Sequence, residues 1–207
     1  MLTADIRVDS LSANELVAPP MRILSGWDFA RKRAGAYLID EERRDTLLRG
    51  YYVPDQKRYY ARLTADSLNM ALLDPILEGV VSGTRGVGVA DVVLQGVGRQ
   101  ADLSGMVDVS DLQTKVDFTQ VAYRMPRARL RVAGNHFRAQ NVEILDAEGN
   151  RGTFALDLNL EHLKNIRYTV RVRPERMLVL NTTAEDNNLF YGKLYGSGDA
   201  RITGDKG

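Results

Sequence analysis

The stretches Thr153-Phe-Ala-Leu-Asp-Leu-Asn-Leu160 and Ile166-Arg-Tyr-Thr-Val-Arg-Val-Arg173 decide how this chain folds. In the first, Phe154, Leu156, Leu158 and Leu160 alternate with Thr153, Ala155, Asp157 and Asn159. In the second, Ile166, Tyr168, Val170 and Val172 alternate with Arg167, Thr169, Arg171 and Arg173. Successive side chains of a strand point to opposite sides, so strict alternation marks strands with one apolar face and one wet face. The same period runs through Ala128, Leu130 and Val132 against Arg127, Arg129 and Arg131, and through Val107 and Val109 against Asp108 and Ser110. It recurs in Val116 and Phe118 against Asp117 and Thr119.

Turn chemistry separates these runs. Gly149-Asn150 closes the segment after Asp146 and tolerates positive φ, and Gly134-Asn135 is a second break. Pro54-Asp55-Gln56-Lys57 lies between Tyr51-Tyr52-Val53 and Tyr59-Tyr60-Ala61 and predicts a hairpin with cross-strand tyrosine pairs. The runs add up to roughly a dozen or more strands, the spacing of an all-β protein. Helical spacing is confined to Ser67–Leu77, where Pro75 limits it to a short helix or bend. Asp40–Leu48 is read as strand and turn. Glycines 79, 83, 86, 88, 96, 98 and 105 are dense for strands and predict bulges or close backbone approach. Residues 1–207 read as one elongated β domain with a weak seam near 50–60; Leu2-Thr-Ala-Asp and Leu63-Thr-Ala-Asp hint at a loose repeat.

Composition narrows the function classes. The 44% hydrophobic content is enough for a core. Lys and Arg number 28 against 27 Asp and Glu, a balance without the basic excess of a nucleic-acid binder, and both signs are spread along the chain. With no cysteine there are no disulfides, thiolate metal sites or cysteine nucleophiles. No apolar run reaches the roughly 18 residues of a membrane-spanning helix. The opening Met-Leu-Thr-Ala-Asp-Ile-Arg-Val-Asp has neither the basic start nor the apolar stretch of a signal peptide; it reads as a strand within a piece of a larger parent.

Sites of chemistry find little support. Gly96-Val-Gly-Arg-Gln-Ala101 matches a relaxed dinucleotide fingerprint, but a strand follows it where that motif needs a helix, so the glycines serve the sheet. Asp146, Glu148 and Asn150 have a calcium-loop cadence without the downstream bidentate Glu, so a hairpin turn is the better reading. His136 and His162 are the only histidines and have no ligand spacing around them. Gly196-Ser197-Gly198 lacks the longer nucleophile motif. The expectation is no catalytic residue, no metal, no cofactor and no enzyme activity.

Residues 60–207 resemble the C-terminal region of the TamB family, in its Bacteroidota-type members. The resemblance is carried by Asp146-Ala-Glu-Gly-Asn-Arg-Gly-Thr-Phe-Ala-Leu-Asp-Leu-Asn-Leu-Glu-His162 followed by Tyr168. It continues in Leu180-Asn-Thr-Thr-Ala-Glu-Asp-Asn-Asn-Leu-Phe-Tyr-Gly192, Tyr195-Gly-Ser-Gly198 and Ile202-Thr-Gly204. Leu72-Leu-Asp-Pro-Ile-Leu-Glu-Gly79, with Ser82 and Gly86, is similar to the family's proline-glycine segment. Ala155 departs from the pattern, which often has glycine there. The resemblance implies an AsmA-like bridge fold, a long, mostly antiparallel sheet curled like a taco around an apolar groove. It further implies a periplasmic location, a parent anchored in the inner membrane by an N-terminal helix outside this piece, and an Omp85-class outer-membrane barrel partner. The implied roles are phospholipid transfer and assembly of outer-membrane proteins.

The residues agree with a groove. An acyl chain in water costs about 0.8 kcal/mol per methylene, so sixteen carbons demand a continuous apolar lining worth on the order of 12 kcal/mol. The lining expected is Phe118, Leu130, Val132, Phe154, Leu156, Leu158, Ile166, Tyr168 and Val170, facing lipid acyl chains or nascent outer-membrane protein strands. A closed sandwich burying the same residues against each other remains the alternative, as do a chaperone that pairs an exposed edge with an incoming strand and a purely structural β-solenoid segment. An open face with free edges also implies dimers of the isolated piece.

Overall fold

A computed structural model describes residues 2–9, 11–13, 16–18, 20–75, 77–161, 165–186 and 191–206. The alternating runs form strands throughout. In chain order these are β1 (Leu2–Val8), β2 (Leu11–Ala13), β3 (Leu16–Ala18), β4 (Met21–Asp28), β5 (Arg33–Asp40), β6 (Asp45–Val53), β7 (Arg58–Asn69) and β8 (Val81–Val97). There follow β9 (Gln100–Val116), β10 (Val121–Ala133), β11 (His136–Asp146), β12 (Arg151–Glu161), β13 (Asn165–Pro174), β14 (Met177–Thr182), β15 (Gly192–Gly196) and β16 (Ala200–Lys206). Among the described residues the only helical pieces are single 3-10 turns at Pro54–Gln56 and Met70–Leu73. The second sits where Ser67–Leu77 predicts a short helix, and β5, a turn and β6 occupy Asp40–Leu48 as expected.

Twelve strands make one antiparallel sheet in the order β1-β4-β5-β6-β7-β8-β9-β10-β11-β12-β13-β16, which does not close on itself. The long, curved, all-β architecture expected from the sequence is thus present. β2 pairs with β3 and β14 with β15 as separate two-stranded ribbons. Because the sheet is an up-and-down meander, its turns alternate between two rims. The first rim carries the turns at 29–32, 54–57, 98–99 and 134–135; the second carries those at 41–44, 70–80, 117–120 and 147–150.

The tyrosine hairpin forms as read: Tyr51 pairs with Tyr60 and Tyr52 with Tyr59, and the Tyr51 and Tyr60 rings stack at 5.5 Å. Gly96 lies in β8 and Gly98 turns directly into β9, so the dinucleotide-like glycines do serve the sheet. Bulges interrupt β7 between Ala65 and Leu68, β8 between Ser82 and Val87, and β11 between Ala139 and Val142. Asp111 in β9 adopts φ 50° beside Gly86 of β8. These irregularities lie side by side and bend the strands along one line across the sheet.

Among the described residues no second layer covers most of this sheet. The accessible surface is 13934 Å², whereas a compact monomer of this mass would expose about 9,700 Å². Gly105 shows how tightly neighbouring strands nonetheless meet. Its φ is +143°, and an added Cβ would overlap the Asp91 carbonyl oxygen and Val92 Cα of β8. Gly105→Ala is therefore expected to destabilise the fold by about 2 kcal/mol or more, read from urea unfolding followed by circular dichroism. A loss under about 0.5 kcal/mol would contradict the close β8–β9 approach.

Candidate apolar groove

Residues opposite each other in an antiparallel pair share a face, so the register assigns every position to a side. Starting from Leu156, its partners are Ala139 of β11 and Val170 of β13, and Val170 pairs with Ile202 of β16. Leu158 lies opposite Phe137 and Tyr168, and Phe154 opposite Val142 and Val172. Phe137 pairs with Val132, and Leu130 pairs with Val107, which meets Ala90 of β8 and then Ala65 of β7. Farther on, Leu63 lies opposite Leu48, Leu48 opposite Leu38, Leu38 opposite Ile23, and Ile23 opposite Ile6. One apolar surface thus runs across all twelve strands.

The other face is wet and charged. Asp5–Arg22, Arg62–Asp91, Asp108–Arg129, Arg124–Asp111 and Arg173–Asp199 pair across neighbouring strands at 2.5–2.8 Å. Exposed pairs of this kind contribute little each; their value is that they keep this side in water. The hydrogen bond from the Arg62 guanidinium holds the Asp91 carboxyl below the usual carboxylate range. His136 joins this face through a hydrogen bond to Asp157, as a surface strand position; His162 lies outside the described residues. Among the described residues no group of acidic or histidine side chains is arranged to hold a metal.

Eight of the nine expected lining residues stand at apolar-face positions. Leu130, Phe154, Leu156, Leu158 and Val170 are half-buried, Val132 is buried, and the Tyr168 ring lies over Gly204 of β16. Ile166 stands in register with Leu160, and its side chain lies outside the described residues. Phe118 is the correction. β9 ends at Val116, and 117–120 form the turn into β10, so Phe118 projects at the rim, 67% exposed, and does not line the face. Alternation alone carried it one step too far, because Gln120, at φ 53°, turns the chain there. The lining in β1–β9, including Ile6, Trp27, Tyr52, Leu63, Leu94 and Leu103, was not among the residues picked out. Leu2, Ala4, Ile6 and Val8 do carry the pattern, but β8 obscures it by placing Val87, Val89 and Val97 on the wet face.

Exposure along the apolar face is uneven. Leu2, Ile6, Tyr52 and Ile202 are 70%, 52%, 44% and 56% exposed. Ala65, Ala90 and Ala139 are buried along the strands and Val132 near the first rim, and the large side chains Met70, Met177 and Leu178 are buried at the second rim, where two elements lie over the face. Met70, in the 3-10 turn, sits against Gly88. β14 lays Met177 over Gly152, where any Cβ would strike the Met177 sulfur, and buries Leu178 beside it.

β14 is held there by polar anchors. Leu178 N–H donates to Asp146 Oδ2 at 2.6 Å, and Tyr123 Oη donates to the Leu178 carbonyl at 3.1 Å. Asn181 N–H donates to the Thr119 carbonyl at 2.9 Å, and Tyr195 Oη donates to Glu148. The Asp146 carboxylate also accepts from Glu148 N–H, Asn150 N–H and Asn150 Nδ2. The calcium-like cadence is thus a turn whose first carboxylate is filled by protein donors. Burial pushes the Asp146 pKa up, but the hydrogen bonds from Leu178, Asn150 and Glu148 together outweigh it and leave the pKa lowered. The result is an apolar face walled along part of its second rim and most exposed on the outer strands β1 and β16.

No protein-family model, curated protein or solved structure matches this chain. Among the described residues no helix is long and apolar enough to cross a membrane.

Asp146→Ala is expected to cost about 3 kcal/mol at neutral pH, because buried donors lose a charged acceptor. A carboxyl with a depressed folded pKa stabilises above its unfolded value, near 3.9, and ceases to do so as pH falls through the lower folded value. The gap between wild type and Asp146→Ala should therefore narrow below about pH 4 in urea titrations across pH. A gap independent of pH would mean the carboxylate charge does not hold the wall.

Proposed function

We propose that this chain is a periplasmic segment of a TamB-like bridge protein in outer-membrane biogenesis, a conduit and not a catalyst. Its apolar face carries phospholipid acyl chains between the inner and outer membranes, and the same surface suits unfolded strands of outer-membrane barrel proteins. The observation that carries this reading is the unbroken apolar side of a twelve-stranded open sheet whose opposite side is lined with ion pairs. A protein that uses such a face only for its own core covers it with a second layer. Here, among the described residues, the elements that lie over the face are the 3-10 turn at Met70 and β14, both at the second rim.

The physics of transfer favours this arrangement. Each methylene kept from water is worth about 0.8 kcal/mol, and a chain that slides along a uniform apolar lining keeps that gain at every step. The backbone polar groups are consumed by strand pairing and do not compete with the cargo. Under this reading the parent is anchored in the inner membrane and meets an Omp85-class barrel at the outer one. A second reading, pairing of an edge with an incoming strand, is favoured by β1, whose seven residues form an outer strand with Leu2 and Ile6 exposed.

The test is photocrosslinking to a lipid with a reactive acyl chain. Leu158→Glu and Val170→Glu each put a charge on the half-buried lining and should abolish crosslinking with circular dichroism unchanged. Unfolding of both variants would show a sealed core instead, and crosslinking that survives both would remove the lining from the path.

A further inference from the structure

The two rims of the sheet differ in charge and in aromatic content. The first rim carries Arg31, Lys32, Arg33, Lys57, Arg58 and Arg99 at its turns, against Asp28 and Asp55. The second rim carries Glu41, Glu42, Asp74, Glu78, Asp117 and Glu148 at corresponding places, against Arg43 and Arg44. On the first rim, Arg31 and Lys32 pair with Asp28 and Asp55 at 3.0 and 3.8 Å. Lys57, Arg58 and Arg99 are exposed and form no ion pair among the described residues. They stand together: Gly98 N–H donates to the Lys57 carbonyl at 2.8 Å, and Arg58 pairs in register with Val97.

Just inside these charges runs a register row across β1, β4, β5, β6 and β7: Leu2, Trp27, Ala34, Tyr52 and Tyr59, all on the apolar face. Phe29, in the adjoining turn, packs edge-on against Trp27 at 6.5 Å and is 66% exposed. Apolar surface, then an aromatic row, then basic turns is the order a protein presents to the boundary of a bilayer, where amphipathic rings sit at headgroup level and cations meet phosphates.

We propose that the first rim between β4 and β9 docks on an anionic phospholipid bilayer, with Trp27, Phe29 and Tyr52 at headgroup depth and Lys57, Arg58 and Arg99 against the phosphates. Charge complementarity selects the occupant, and the aromatic row, continuous with a lipophilic face, selects a bilayer over a nucleic acid. The inference goes beyond the conduit reading, because docking by the rim does not require cargo on the lining.

The experiment uses the whole chain and its single tryptophan, Trp27. Vesicles of phosphatidylglycerol and phosphatidylcholine in equal parts are compared with phosphatidylcholine alone, reading flotation and Trp27 emission. Flotation and a blue shift are expected only with the anionic vesicles, fading as salt cuts the screening length from about 10 Å at 0.1 M to about 3 Å at 1 M. Lys57→Gln, Arg58→Gln and Arg99→Gln together should weaken binding on the order of 100-fold, and Arg99→Gln alone, in an exposed turn, about fivefold. Glu41→Gln with Glu42→Gln on the other rim should leave binding unchanged. Equal binding to neutral vesicles, undiminished binding by the triple and single variants, or an equal blue shift with a soluble oligonucleotide would overturn the proposal. Leu158→Glu should still float with anionic vesicles, so loss of acyl crosslinking and loss of docking report on separate claims.

Discussion

Everything in this fold depends on strand pairing that keeps twelve strands in phase. The side-chain period of a strand is two, so a one-residue slip anywhere would carry all the apolar residues beyond it to the wet side. The bulges could have caused such slips. Ala65 and Leu68, Val109 and Leu112, Met125 and Ala128, and Ala139 and Val142 are spaced by three residues, yet both members of each pair lie on the apolar face. Neighbouring strands take the extra residue at nearly the same level, so the phase is restored on both sides of the line. A row of defects becomes a crease without disturbing the division of faces.

That division explains how an open sheet stays folded without a second layer. The apolar lining is half-exposed, so its burial stabilises less than a closed core would, and the ladder of backbone bonds and tight approaches such as Gly105 against β8 carries more of the burden. Of the buried apolar residues, Met70, Val142, Ile144, Met177 and Leu178 lie toward the second rim, where the 3-10 turn and β14 cover the face, while Ala65, Ala90, Ala139 and Val132 are buried elsewhere on it. Stability is accordingly graded, highest at the wall and lowest toward the outer strands β1 and β16.

Much of this was legible in the sequence where the pattern is strict. β12 and β13 alternate without interruption, Pro54–Lys57 marks its hairpin, and Gly134-Asn135 marks a turn whose Asn135 bonds back to Ala101 and Leu103. What was hidden shares one cause: local pattern says that a strand has two faces, but not where the phase shifts or the strand stops. Phe118 extends a run that ends two residues earlier, and β8 carries valines on both faces. The wall was hidden for another reason. Asp146 reads as a turn residue, and its bond to Leu178, 32 residues away, depends on tertiary structure alone.

Charge shows the same limit. A net charge of +1 with both signs spread along the chain reads as ordinary solvated surface. In the fold the pleat places many of the arginines opposite aspartates on the wet face, where they cancel locally. Charges at the turns are cancelled less completely, with Lys57, Arg58 and Arg99 in no ion pair among the described residues, and the meander sends alternate turns to opposite rims. Segregation of charge between rims therefore follows from which turns hold Arg31-Lys32, Lys57 and Arg99 and which hold Asp74, Glu78, Asp117 and Glu148, an attribute of topology that composition averages to nothing. Such a dipole runs along the strands, perpendicular to the direction in which the sheet adds strands, so lengthening the sheet would extend both rims without mixing them.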